Sequence, residues 1–157
     1  MRRAAAALLL AAGASAAAAC SLDVIDPASG ARLARVPLSD GRGFALAYTH
    51  SVSLRPVESR YRVHGNGIVQ VAEVFDEHGP GMSTTPAPGE RLEMQRDGSG
   101  SRFVLHLSRP IGRLVIRLHE RPAFRLAAGE QTLELDRWGT RSVELRPDCP
   151  DDEEDRK

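Results

Sequence analysis

From Phe44 onward the chain alternates large apolar and polar side chains with a period of two, which confines it to β-structure. Phe44, Leu46 and Tyr48 share one phase, with Ala45, Ala47 and Thr49 on the other. Val57, Ser59, Tyr61 and Val63 alternate with Glu58, Arg60, Arg62 and His64. Further runs follow at Ile68 to Phe75, Leu92 and Met94, Phe103 to Leu107, Leu114 to Leu118, Phe124 and Leu126, Leu133 and Leu135, and Val143 to Leu145. Turn chemistry separates them: Asp40-Gly41, Gly65-Asn66-Gly67, Asp97-Gly98-Ser99-Gly100, Arg109-Pro110, Gly129 and Trp138-Gly139. No stretch has the apolar spacing of an amphipathic helix. About nine short strands at this spacing predict an all-β fold, an antiparallel β-sandwich or small barrel. Residues 76–90, rich in Gly, Pro, Ser and Thr, read as a long surface loop.

The ends differ from this body. Met1-Arg2-Arg3 is basic, Ala4 to Ala12 is a short apolar run, and small residues lead to Ala17-Ala18-Ala19-Cys20. This is the layout of a secretory signal peptide, so residues 1–19 are expected to be removed on export. The run is too short and too Ala-rich for a membrane span, and no other segment approaches the required length. The last ten residues carry six acids between Asp148 and Asp155 and read as a solvated tail over residues 148–157. One domain over residues 20–147 remains, exported to the periplasm or lipid-anchored at the cell envelope.

Cys20 and Cys149 are the two cysteines. Small residues before Cys20 permit two fates: lipidation of its sulfur, although Ala17 stands where a lipobox usually has Leu, or a disulfide to Cys149. A bridge closing so long a loop is worth on the order of 4 kcal/mol in the chain-entropy model. The fates exclude each other, because a thioether sulfur cannot form a disulfide.

Charge removes several functions. Lys and Arg total 21 and so do Asp and Glu, a zero net charge without the basic excess that nucleic-acid binding requires. Aromatic residues make up 4% of the chain, too few for base- or sugar-stacking platforms.

The densest polar cluster is Tyr48-Thr49-His50-Ser51-Val52, followed by Arg55-Pro56-Val57-Glu58. A catalytic reading makes His50 a base, Ser51 a nucleophile and Glu58 the group that orients the ring. Against it, neighbours on a strand point to opposite faces and no G-x-S-x-G elbow is present. The structural reading is a hairpin in which the half-buried His50 ring is paired by the Glu58 carboxylate on the next strand. No catalytic residue is assigned. Metal ligation has candidates in His50, Glu58, Glu73, Asp76, Glu77, His78, His106 and His119, but none forms a ligand motif, so neither metal nor cofactor is expected. Gly79-Pro80-Gly81 precedes no helix and reads as a sharp turn.

The segment YTHSVSLRPVESRYRV followed by FDEHGPGMS resembles a bacterial family known as domain of unknown function 1850, through His50, Ser51, Val52, Pro56, Val57, Glu58, Phe75, Gly79 and Gly81. The likeness extends over roughly Cys20 to Arg146. Members often carry a second acid where this chain has Ser59. The resemblance implies no established activity. It implies a context, since such proteins accompany or are fused to tripartite solute transporters whose binding proteins are of the TAXI type. The expectation is an exported non-catalytic accessory or binding module touching a transporter component or its solute. The alternative is a small periplasmic hydrolase or metal-dependent enzyme using His50 and Glu58.

Overall fold

Alternating chains become strands where one face can be buried, and eleven strands form here. A computed structural model describes residues 20–39, 42–77, 85–97, 100–118 and 124–150. The strands are β1 (Ser21–Ile25), β2 (Arg32–Pro37), β3 (Gly43–Thr49), β4 (Pro56–His64), β5 (Gly67–Phe75), β6 (Arg91–Asp97), β7 (Gly100–Ile111), β8 (Leu114–Arg117), β9 (Arg125–Ala128), β10 (Gln131–Glu134) and β11 (Ser142–Asp148). A single 3-10 turn, Leu135–Trp138, is the helical element among the described residues. Two antiparallel sheets result, with strand orders β2-β1-β11-β8 and β10-β9-β3-β4-β5-β7-β6. The fold is an all-β sandwich.

The nine expected strands correspond to β3 through β11, and two more precede them. Strand β1 (SLDVI) escapes a period-two reading because it is buried on both faces. It lies between β2 and β11 in the small sheet. Its charged residue, Asp23, is held by Arg35 at 2.7 and 3.0 Å, and the guanidinium keeps the carboxyl below its ordinary range. Asp26-Pro27-Ala28-Ser29-Gly30 supplies the turn into β2: Asp26 accepts from Ala28 N–H (3.0 Å) and Ser29 Oγ–H (2.6 Å), and Gly30 takes a φ of 73°.

The main core lies where the small sheet covers one end of the large one. Leu22, Val24, Ile116, Val143 and Leu145 pack against Phe44, Leu46, Tyr61, Val63 and Leu126. Burying each leucine stabilises the fold by about 1.5–3 kcal/mol. A second cluster (Val57, Phe75, Leu105 and Leu107) occupies the same face of the large sheet toward its other end. Cys20 and Cys149 are disulfide-bonded across the ends of β1 and β11, with Cα atoms 4.2 Å apart. Asp148, expected to begin the tail, is the last residue of β11 and is bonded to Arg35, and Cys149 is buried. These two residues therefore belong to the fold. The described residues contain no helix long and apolar enough to cross a membrane. The segment expected to be a signal peptide and residues 151–157 lie outside the described residues.

Candidate functional site

The β3–β4 ladder closes with Thr49 opposite Pro56, leaving His50 to Arg55 as a six-residue loop. Proline is tolerated at Pro56 because it opens the strand. Two backbone bonds shape the loop: His50 N–H donates to the Arg55 carbonyl (2.8 Å) and Leu54 N–H to the His50 carbonyl (2.9 Å). The His50 ring completes it. Nδ1 accepts the N–H groups of Val52 (3.3 Å) and Ser53 (3.2 Å). Leu54 is held at a φ of 57°, a left-handed conformation unfavourable for a side chain of its size. The loop thereby exposes two apolar side chains, Val52 (66%) and Leu54 (73%).

Arg55 ties the loop to the end of β5 through a two-pronged contact with Asp76 (Nε–Oδ1 3.2 Å), and Glu77 lies 3.6 Å away. The carboxylates raise the Arg55 pKa above its ordinary value, so its charge is permanent. Beside the loop opens a cleft of about 1060 Å³, whose walls include Tyr48, His50, Leu54, Arg55, Phe75 and Arg125. Arg125 is bonded to Glu134 at 2.8 Å.

Beneath this rim, the covered face of the large sheet carries a polar group between the two apolar clusters. Ser59 on β4 stands directly opposite Glu73 on β5, with Leu105 of β7 on the other side of Glu73. Ser59 is buried, and its small side chain leaves room for the longer Tyr48 and Tyr61. Burial raises both tyrosine pKa values, the Glu73 charge raises them further, and hydrogen bonding to Ser59 opposes the rise. Glu73 is half-buried, and burial pushes its pKa up. The charges of Arg109 and His50 pull it back, while Glu90 adds to the rise. Among the described residues none hydrogen-bonds or ion-pairs with Glu73; the Arg109 guanidinium is bonded to Glu90 at 3.2 Å instead.

A family model described as Domain of unknown function (DUF1850) matches residues 44–135, more than half of the chain. The chain belongs to the DUF1850 family. No curated protein and no solved structure matches it. The DUF1850 match begins in β3 and ends just after β10, so it takes in the loop, the cleft and the Glu73 group. It is narrower than the expected span of Cys20 to Arg146: β1, β2, β11 and the disulfide lie outside it.

His50, Ser51, Pro56 and Glu58, singled out by sequence, all line the cleft, but each has its own contacts. His50 shapes the loop, and Ser51 is exposed on it. Glu58 does not pair with His50: it faces the outer side of the sheet and accepts a bond from Arg60 Nε at 2.6 Å. Phe44, Leu46 and Tyr48 face the core, and their cross-strand partners are Tyr61, Ser59 and Val57, so Glu58 occupies the opposite phase. Among the described residues no hydrogen bond links His50 to Ser51 or to Glu58. Among the described residues no group of three or more His, Cys, Asp or Glu is placed to hold a metal ion. His106 Nε2 lies 3.2 Å from Glu93 on the outer face. Gly79, Gly81, His78 and His119 lie outside the described residues. Glu73 was legible only as one more potential ligand; the better signal is a carboxylate inside the apolar run Val71-Ala72-Glu73-Val74-Phe75.

Proposed function

We propose that this DUF1850 protein is an exported, non-catalytic accessory module that binds a component of a tripartite solute transporter of the TAXI type, or its solute, at the cell envelope. The β3–β4 loop carries the reading. A soluble surface gains nothing from displaying Val52 and Leu54, yet a histidine ring and two backbone hydrogen bonds hold the loop that presents them. A rigid apolar tip beside a cleft suits docking, because little conformational freedom is lost on binding. The signal-like N-terminus and the Cys20–Cys149 bridge both suit an oxidising compartment outside the cytoplasm. The membrane context follows from the family resemblance.

The test is co-purification from membranes with a co-expressed TAXI-type transporter. The parent chain is expected to be retained, and Val52→Asp with Leu54→Asp to be lost while melting like the parent. Equal retention of the parent and the double variant would overturn the role of the loop. Absence of the parent from both the transporter fraction and the periplasmic extract would overturn the reading as a whole.

A further inference from the structure

A half-buried carboxylate without a hydrogen-bond donor is costly, because water is removed and no protein dipole replaces it. Glu73 is in that position, and a suitable cation lies close by: Arg109 is near enough to act on it electrostatically yet is bonded to Glu90. Glu90 in turn has its second oxygen occupied by the Ala87 N–H at 3.1 Å. Among the described residues, Glu73 is thus left without a hydrogen-bond donor or an ion-pair partner.

Hydroxyl groups flank it on the β4 side, opposite Leu105 of β7. Ser59 is the direct cross-strand neighbour. Tyr61, two residues along the same face of β4, lies diagonal to Glu73 across the ladder, with the buried Gln70 as its direct partner. Tyr48 approaches over Ser59 from β3, and its cross-strand partner Val57 is two residues from Ser59. The aromatic rings are fixed from behind: Tyr61 stacks on Phe44 with centroids 4.9 Å apart, and Tyr48 lies against Phe124 at 5.2 Å. Access is short. Tyr48 and Phe75, the latter two residues from Glu73 on the same face, both line the cleft.

We propose that Glu73, with the hydroxyls of Tyr48, Ser59 and Tyr61, binds one compact monovalent cation on the covered face of the large sheet, next to the cleft that Tyr48 lines, either an alkali ion or the primary ammonium group of a small solute. A single carboxylate balances a single positive charge. Neutral hydroxyl oxygens complete the shell for a hard cation and equally accept the N–H groups of an ammonium. Among the described residues no second free carboxylate stands at the group, which disfavours a divalent ion. The inference rests on the buried face of the sheet and is independent of the docking loop.

The test is thermal unfolding and calorimetric titration of the purified protein with potassium chloride and with methylammonium chloride. Tetramethylammonium chloride at matched ionic strength is the reference, since it carries the same charge but is bulky and has no N–H group. The parent is expected to melt higher in at least one of the first two salts than in the reference. A response to potassium alone identifies an inorganic ion, and a response to methylammonium, with or without one to potassium, identifies the amine of a solute. Glu73→Gln, nearly isosteric, should abolish the difference while melting at or above the parent in the reference salt. Tyr61→Phe should weaken binding about tenfold through loss of one hydrogen bond to charge. Equal melting in all three salts, or a response that survives Glu73→Gln, would overturn the proposal.

Discussion

Ala47 and Glu58 face one another across the β3–β4 ladder, and that pairing sends the Glu58 carboxylate to the outer side of the sheet, away from the polar group at Glu73. His50 and Glu58 of the H-S-V and P-V-E blocks thus have separate work: His50 holds a loop through Nδ1, and Glu58 makes an exposed ion pair with Arg60.

His50→Ala should destabilise the protein by about 1 kcal/mol, because the N–H groups of Val52 and Ser53 lose their acceptor. His50→Asn, whose side-chain oxygen can take the same place, should restore most of the loss. Glu58→Ala should stay within about 0.5 kcal/mol of the parent, as for other surface pairs. The double variant should be additive, since the two residues share no contact. Denaturant unfolding of the four variants checks this, and a coupling as large as either single effect would contradict it.

Glu73 sets a pH dependence above the ordinary Glu pKa. Its folded pKa is raised by burial, so its favourable contribution is complete below the ordinary Glu pKa and is lost as pH rises through the folded value. Glu73→Gln should therefore melt like the parent near about pH 4 and above it near about pH 8. A melting-temperature series across that range, in tetramethylammonium buffer, reads the crossover.

Glu144 and Asp23 act in the opposite sense. Arg113 at 2.6 and 3.0 Å and Arg146 at 2.9 and 3.2 Å hold the buried Glu144 ionised, as Arg35 does Asp23, and both folded pKa values are lowered. Their stabilisation is present above the ordinary carboxylate range and disappears as pH falls through the folded values. Glu144→Gln should lower the melting temperature by a few degrees at neutral pH. The difference should vanish under strongly acidic conditions.

The Cys20–Cys149 bridge spans 129 residues of sequence, so its loss should cost about 4–5 kcal/mol in the chain-entropy model. Cys149→Ser, or reduction of the parent, should lower the unfolding midpoint accordingly. Intact mass of protein recovered from an exporting host distinguishes a bridged chain starting at Cys20 from one carrying acyl groups there. Acylation would mean that the mature protein relinquishes the bridge.

Period-two alternation is local chemistry, and it was enough for β3 through β11, for the all-β class and for the inward phase of Phe44, Leu46 and Tyr48. The H-S-V and P-V-E blocks and the aromatic at Phe75 were enough to suggest the family. Strand β1 was not legible, because burial on both faces erases alternation and its Asp23 is neutralised by arginines brought in from β2. Nor was the fate of His50, Glu58 and Glu73. Which residues share a face across two strands depends on register, and register is decided by the whole ladder packing its apolar rows onto the opposing sheet. Only when Ser59 came to stand opposite Glu73, and Ala47 opposite Glu58, was one carboxylate left on the covered face without a hydrogen-bond partner among the described residues and the other turned to the outer face.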